Sequence, residues 1–230
     1  MNFYKLTLST DPKIMGKRFP QVGIKNMLEY DMNSPNSIYR ANRWGKVTSS
    51  LNIPDYILRY HAKRTDILSH MSQFLLISDR LKELIEISPL PDTQIFKAPV
   101  LARGKQYQYF LFHLPKNHYK FIDFARSTFA LVPFGRPVTI LSPEINTLEE
   151  FEEWIKEYPY LIKKNPKRQK VIVDKLIFDT DKIPYDMFRI IGPISGYFVS
   201  ERLKSAIKEK GYTGMDFIPL EKVETVLPPA

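Results

Sequence analysis

One segment of this chain occurs twice. The stretch ISDRLKELI at residues 77–85 returns near the C-terminus as VSERLKSAI at residues 199–207. Each copy follows an apolar run and precedes a second apolar run that contains a proline, Pro99 in the first copy and Pro219 in the second. The proline follows the serine of the repeat by 21 residues in the first copy and by 19 in the second, which indicates one short loop insertion. The repeat therefore predicts two related strand–helix–strand units, at about residues 74–100 and 196–220.

The serine of each copy lies where an extended run ends and a helical pattern begins. Its hydroxyl can accept hydrogen bonds from the first helical turn, and the acidic residue that follows it suits the positive end of the helix dipole. Leucine, alanine and isoleucine then recur at helical spacing, which predicts one apolar stripe per helix. A glycine ends the second helical pattern, as in a left-handed cap. We interpret these motif residues as structural: Ser78, Arg80, Ser200, Arg202 and Gly211.

Composition and local patterns predict a mixed α+β fold with more strand than helix. The chain has 230 residues, of which 43% are hydrophobic and 13% aromatic, enough for a packed core. We expect one compact domain over residues 1–230 that contains the repeat, with residues 1–70 left unassigned. Apolar spacing between Ile53 and Ser72 is typical of a helix. Thr147 and Glu150 form a capping-box pattern that predicts another helix.

No sequence feature indicates a membrane segment or a disulfide. The chain contains no cysteine, and no apolar run approaches the ~20 residues that span a bilayer. The N-terminal residues lack the basic-then-apolar order of a secretory signal. These patterns predict a cytoplasmic protein without a membrane partner.

A search for catalytic motifs finds none of the common ones. Nucleophile-elbow, P-loop, dinucleotide-binding and zinc-protease patterns are all missing from the sequence. His113 and His118 are the only close histidines, and their spacing suits no metal pair. Asp123, in a strand-like apolar run near Arg126 and Ser127, is either a general base or a buried, hydrogen-bonded structural group; we favour the structural role. The sequence therefore predicts no catalytic residue, no metal site and no cofactor.

The formal charge of +9 favours acidic partners. Two segments of the chain are rich in basic residues, and one of them also contains aromatic residues. The segment at residues 163–170 has five cations and no acid. The segment at residues 39–44 combines arginines with aromatic rings, as nucleic-acid-binding surfaces and the hot spots of protein interfaces do. Each segment also has a purely structural explanation: the first can be a solvated loop, and in the second the tryptophan can pack under a loop. The partner-binding candidates are Tyr39, Arg40, Arg43, Trp44, Lys163, Lys164, Lys167 and Arg168.

The order of these elements resembles a family of bacterial immunity proteins, the eleventh such family, formerly known only as a domain of unknown function. The resemblance covers roughly residues 70–220, and its most specific part runs from the second copy of the repeat to the motif G-Y-T-G-M-D-F at residues 211–217. It implies a protein that binds and neutralises a toxin encoded nearby and that is not an enzyme. This chain is basic, whereas many immunity proteins that block nucleases are acidic.

Two classes of function follow from the sequence. The resemblance implies a stoichiometric inhibitor of a bacterial toxin. The positive charge alone suggests the alternative, a basic protein associated with nucleic acid. Salt distinguishes the two classes, because phosphate binding weakens steeply as salt rises, whereas an interface built on aromatic anchors depends on salt much less.

Overall fold

The protein has a mixed α+β, strand-rich fold, as the sequence predicts. The structure is a computed structural model that describes residues 2–41, 45–135, 138–159, 167–192 and 194–220. The α-helices of this part of the chain are α1 (Pro12–Met15), α2 (Asp79–Glu86), α3 (Leu148–Glu157) and α4 (Glu201–Glu209), and short 3-10 helices lie at Tyr119–Phe121 and Thr180–Lys182. The strands are β1 (Phe3–Leu8), β2 (Val22–Ile24), β3 (Tyr56–Leu58), β4 (Ile67–Leu68), β5 (Leu75–Ser78), β6 (Gln94–Lys97), β7 (Val100–Ala102), β8 (Lys105–Tyr107), β9 (Tyr109–His113), β10 (Thr128–Pro133), β11 (Gln169–Lys175), β12 (Met187–Ile190), β13 (Gly196–Ser200) and β14 (Met215–Pro219).

Among the described residues the strands form four sheets, of which three have four strands each. Two of these three share the same internal pattern, in the orders β4-β5-β9-β6 and β12-β13-β1-β14. A third sheet has the order β2-β3-β7-β8, in which only the β3–β7 pair is parallel, and a fourth consists of β10 and β11. None of the helices among the described residues is long and apolar enough to cross a lipid bilayer.

The predicted repeat is confirmed, and it is larger than the sequence indicates. We call β4, β5, α2, β6 and β9 the first unit, and β12, β13, α4, β14 and β1 the second unit. Every strand of one four-stranded sheet has a counterpart in the other, and all neighbouring strands within both sheets are antiparallel. The counterpart of β9 is β1, at the opposite end of the chain. The second unit is therefore completed by the N-terminal strand, which sequence analysis left unassigned.

The sheet register corrects the alignment of the two prolines. Phe110 on the central strand of the first unit pairs with Ile77 on one side and with Lys97 on the other. In the second unit Tyr4 takes the same place between Val199 and Pro219. Lys97 and not Pro99 is therefore the counterpart of Pro219, and the two units need no loop insertion between serine and closing strand. Pro99 and Pro219 are therefore the same residue type at positions that are not equivalent in the two units.

The two units share one hydrophobic core. Helices α2 and α4 bury their apolar stripes in the same cluster, whose members from the two helices are Leu81, Leu84, Ile85, Leu203 and Ile207. Strand residues from both sheets complete it, among them Ile77 and Val199. A second cluster lies around Phe151, Phe188 and Phe198, and a third lies around Ile38, Tyr56 and Leu111. The equivalent helices of the two units thus contribute to the same core.

The helical prediction for the segment from Ile53 to Ser72 is wrong. This segment contains β3 and β4 instead, and Leu68 is fully buried in the third cluster. The capping box at Thr147 and Glu150 is confirmed at the start of α3. The helical prediction failed because apolar spacing in a short segment does not distinguish a buried strand from a helix, and here both short runs pair with neighbouring strands.

Candidate functional site

A buried aspartate holds the helix start of each unit. In the first unit Asp66 Oδ1 accepts a hydrogen bond from Ser78 Oγ at 2.8 Å, and the Arg80 guanidinium binds both carboxylate oxygens at 2.6 and 2.7 Å. Ser78 Oγ also accepts from the Leu81 N–H at 3.3 Å, which caps α2. The predicted cap is therefore confirmed, and the arginine has a structural partner that sequence analysis missed.

The second unit repeats this arrangement with Asp186. Ser200 Oγ donates to Asp186 Oδ1 at 2.6 Å and accepts from the Leu203 N–H at 3.1 Å. Arg202 Nη2 lies 2.5 Å from Asp186 Oδ2. In both units the aspartate comes immediately before the edge strand, so its carbonyl oxygen also accepts from the serine N–H. We call the two sets of residues the first and second Asp–Ser–Arg clusters.

Hydrogen bonding keeps Asp66 ionised despite its burial. Burial alone would raise the pKa of this carboxyl group. The hydrogen bonds from Arg80, from the Thr213 N–H and from Ser78 outweigh burial, so the pKa of Asp66 lies below its ordinary value. These hydrogen bonds offset the free-energy cost of burying the carboxylate, so removing any one donor should destabilise the fold. We therefore assign Asp66 a structural role.

The motif G-Y-T-G after α4 joins the two units. Gly211 has a φ of +67° and forms the left-handed end of α4, as predicted. The Thr213 N–H donates to Asp66 Oδ2 at 2.8 Å, and the Thr213 carbonyl accepts from the Asp66 N–H at 2.9 Å. Gly214 lies against the Ile67 carbonyl, where a Cβ would overlap that oxygen. The loop after α2 makes the reciprocal contact, because the Pro89 carbonyl accepts from the Asp186 N–H at 2.8 Å.

A polar cleft of about 600 Å³ opens beside the first cluster. The Arg64 guanidinium stacks 3.8 Å above the Tyr107 ring at one wall, and the Arg80 guanidinium lies 4.6 Å above the Tyr212 ring. Other exposed groups of the lining are Asp79 and Glu83 on α2. The cleft thus places exposed charged groups next to an aromatic ring at the start of α2. None of Arg64, Asp79, Glu83 or Tyr107 was a candidate from the sequence, because β8 and the residues before β4 are far from α2 along the chain.

The structure places Asp123 in a turn rather than in a strand. Its side chain is 21% exposed, Oδ1 accepts from the Arg126 N–H at 3.2 Å, and Oδ2 lies 3.6 Å from the Arg126 guanidinium. The Asp123 carbonyl also accepts from the Ser127 N–H. The contacts are those of a turn-forming aspartate, although its role in stability stays a prediction.

The loop at residues 25–41 contains two of the predicted partner-binding residues. Tyr39 is half-buried and packs edge-on against Tyr30, whereas Arg40 is exposed and donates to Asn33 Oδ1 at 3.1 Å. The loop also exposes three large apolar side chains that sequence analysis did not single out: Met27, Leu28 and Met32. Arg43 and Trp44 lie outside the described residues.

The basic segment is only partly described. Lys163 and Lys164 lie outside the described residues. Lys167 pairs with Glu157 at 2.7 Å and lies 4.7 Å above the Tyr158 ring. Arg168 is exposed, with a φ of +51°. One cation of this segment is therefore paired with the acidic helix α3.

The described part of the chain holds no group of three histidine, aspartate or glutamate side chains that could bind a metal ion. The His113 Nε2 lies 2.9 Å from the Gly45 carbonyl oxygen, and its Nδ1 lies 3.3 Å from Arg189 Nη1. Burial lowers the pKa of His113 to about 4, with the Arg189 charge adding to the effect. This histidine is thus neutral and structural at physiological pH.

Comparison with known proteins adds no assignment: no family model matches the chain, and no curated protein matches it.

Proposed function

We propose that this protein is an immunity protein, which binds a bacterial toxin in the cytoplasm and neutralises it by stoichiometric inhibition rather than by catalysis. The sequence resemblance supports this proposal, and the structure gives its most specific residues an architectural role. The S-E-R-L-K and G-Y-T-G motifs cap helices, hold a buried carboxylate and join the two units. Residues used in this way position a surface and leave recognition to other parts of the molecule.

The observation that carries the proposal is the loop at residues 25–41, which exposes the large apolar side chains of Met27, Leu28 and Met32. Tyr30 fastens it, because its hydroxyl donates to the Asn52 carbonyl at 2.7 Å and accepts from the Ile38 N–H at 3.0 Å. Ile38 is fully buried beneath the loop. Leu28 is nonetheless fully exposed. Exposed apolar side chains on a loop that is held by such hydrogen bonds lose less entropy when a partner binds than they would on a loose segment, so they suit an interface.

The arginine of this loop supports the interpretation. Arg40 is exposed in the same loop, and the predicted contacts Arg43 and Trp44, which lie outside the described residues, come shortly after it in the sequence. Such residues dominate the binding energy of protein interfaces. We expect an interface of standard size, about 1,600 Å² in total, with a partner encoded next to this gene.

Co-expression with the product of the adjacent gene tests the proposal. We expect the parent protein to restore growth of cells that produce this toxin, and we expect Leu28→Asp/Arg40→Glu and Arg43→Glu/Trp44→Ala to lose the rescue while keeping the parent circular-dichroism spectrum. Val138→Asp is the matched control, because Val138 is an exposed apolar residue in a different loop. This control variant should still rescue growth.

Two results would contradict the proposal. The first is a harmless adjacent product that does not bind the purified protein. The second is tight binding to nucleic acid with a steep loss of affinity as salt rises, which would favour the nucleic-acid alternative. Binding of that kind should also weaken when Lys167 and Arg168 are both changed to glutamine.

A further inference from the structure

Two segments that are far apart in the sequence, residues 13–19 and residues 59–64, lie side by side in the structure. The Lys17 N–H donates to the His61 carbonyl at 2.9 Å. Strand β2 follows the first segment, strand β3 precedes the second, and these two strands pair antiparallel. The two segments are thus joined into one part of the protein surface.

This part of the surface is strongly basic. The two segments contain no acidic residue and six basic ones, whose side chains are all at least partly exposed: Lys13, Lys17, Arg18, Arg59, Lys63 and Arg64. None of the six forms an ion pair within the described part of the chain. Of the acids that flank the segments, Asp11 caps α1 and Asp66 pairs with Arg80. Like charges on one surface repel each other, so this concentration of cations lowers the stability of the fold rather than adding to it.

The same segments expose two aromatic rings. Phe19 is 66% exposed, and Tyr60 is 84% exposed with its ring 3.9 Å from the His61 ring between centroids. Phenylalanine is among the residue types that are most often buried, and aromatic residues are enriched together with arginine where protein partners bind. The exposed rings therefore indicate a binding surface independently of the charge. We call the two rings of Phe19 and Tyr60 and the six cations the basic surface.

The basic surface adjoins the loop at residues 25–41 through Arg59. The Arg59 side chain lies over Gly23, where a Cβ would come within 3.1 Å of the Arg59 Nε. Burial raises the pKa of Tyr39 in the loop, and the nearby charge of Arg59 opposes part of that rise. The unpaired cations therefore continue into the loop that carries the proposed interface.

We propose that the basic surface binds an acidic face of the toxin. This inference rests on the proposed function and names the charge of the partner. Aspartate and glutamate side chains of the toxin neutralise cations that repel one another in the free protein. The guanidinium groups suit this contact best, because each can bind both oxygens of one carboxylate. The exposed rings add apolar contact area between the charges.

The neighbouring loop favours a protein partner over nucleic acid. Carboxylates and phosphate groups can both pair with the six cations. Met27, Leu28 and Met32 are also exposed on the loop that Arg59 adjoins, and such side chains contribute to binding when a protein surface covers them. A phosphate backbone offers them no apolar counterpart. Cations beside exposed apolar side chains therefore fit a protein face that is both acidic and partly apolar.

The kinetics of binding to the adjacent gene product test the basic surface. We expect Lys17→Gln/Arg18→Gln to keep the parent circular-dichroism spectrum, to associate at least about tenfold more slowly in about 50 mM salt, and to lose less affinity as salt rises. Lys120→Gln/Lys156→Gln is the matched control, because it removes two exposed cations outside the basic surface and should bind as the parent does. Parental kinetics of the first variant, or an equal loss in the control, would overturn the inference while leaving the proposed function intact.

A competitor distinguishes an acidic protein from nucleic acid. An excess of oligothymidylate should leave the complex with the adjacent gene product intact in about 150 mM salt. Displacement of that product, together with oligothymidylate binding that Lys17→Gln/Arg18→Gln loses, would assign the basic surface to nucleic acid and overturn the inference.

An acidic peptide tests the surface without the toxin. In a nuclear magnetic resonance titration, hexaglutamate should shift the amide signals of residues 13–19 and 59–64 in the parent, and hexalysine should leave them in place. Equal shifts with hexalysine, or shifts confined to other regions, would contradict an acidic ligand. If the parent protein does not bind the adjacent product at all, the proposed function fails instead, and this titration decides the charge of the ligand by itself.

Discussion

The serine at the start of α2 and of α4 has two structural roles, as a helix cap and as a hydrogen-bond donor to a buried aspartate. Ser200 Oγ caps α4 and at the same time donates to the buried carboxylate of Asp186. A cap alone contributes about 1 kcal/mol to stability. The second hydrogen bond raises the expected cost of losing the hydroxyl, because Asp186 is buried and would keep an unsatisfied oxygen.

We therefore expect Ser200→Ala to lower the free energy of unfolding by about 1–3 kcal/mol in urea denaturation. Ser205→Ala is the control on the same helix, where the hydroxyl makes one long contact to Glu201 and its loss should change stability by less than about 0.5 kcal/mol. An unchanged stability of Ser200→Ala combined with lost partner binding would show that this serine acts in recognition instead.

Buried histidines make stability depend on pH. Burial lowers the pKa of both His70 and His113 to about 4 from an ordinary value of 6.5. Between these values the unfolded chain binds more protons than the folded chain, so the free energy of unfolding falls as the pH drops from about 6.5 to 4. Each histidine contributes at most about 3 kcal/mol to this loss.

The prediction is a reduced pH dependence in His113→Gln. Urea denaturation at a series of pH values should give a smaller loss of stability between pH 6.5 and 4 than in the parent, although the variant is less stable at neutral pH because the contact with Gly45 changes. His61→Gln is the control, since His61 is exposed. Equal pH profiles for parent and His113→Gln would contradict the burial argument.

At the scale of elements, the loop after α4 has a conformation and a close contact that favour glycine. Gly211 and Gly214 both have a positive φ, which favours glycine. A Cβ at Gly211 would meet nothing within 4 Å, whereas a Cβ at Gly214 would overlap the Ile67 carbonyl and lie 2.7 Å from Thr65 Oγ1. At Gly211 only the backbone conformation favours glycine, whereas at Gly214 the lack of space for a Cβ also favours it.

This difference predicts a graded result. Gly211→Ala should lower the free energy of unfolding by about 1–2 kcal/mol through the left-handed conformation alone. Gly214→Ala should cost about 2–5 kcal/mol, because overpacking against the first unit adds to the same strain. Thermal and urea denaturation measure the stability of the two variants. Equal losses of stability would show that the loop can move to make room for the Cβ of Gly214→Ala at little cost in free energy.

At the scale of the whole molecule, two units of the same design share one hydrophobic core. Leu203 from the second unit packs in the same cluster as Leu81 from the first. The N-terminal strand β1 completes the second sheet, and its Phe3 packs in the cluster around Phe188. Both ends of the described chain are therefore tied into the second unit.

Because the core is shared, damage to one helix should destabilise both units together. We expect Leu203→Ala to lower the free energy of unfolding by about 2–5 kcal/mol and to leave a single transition. Circular dichroism and hydrogen exchange at amides of both sheets should report the same midpoint. The exposed Lys208→Ala is the control, with little change expected. Two separate transitions in Leu203→Ala would show that the units fold independently.

The sequence by itself determined the parts of this protein that depend on local chemistry. The caps at Ser78 and Ser200, the apolar stripes of α2 and α4 and the left-handed Gly211 follow from residues within a few positions of one another. Such contacts are encoded by short spacings, so a pattern suffices to predict them.

Only the tertiary structure decided what lies far apart along the chain. It paired Asp66 with Thr213, made β1 the counterpart of β9, and placed Arg64 and Tyr107 beside α2 to form the cleft. It also replaced the apparent match of two prolines with the register of paired strands. These features depend on which strands pair and which units pack, and a local sequence pattern does not specify contacts between residues that lie far apart along the chain.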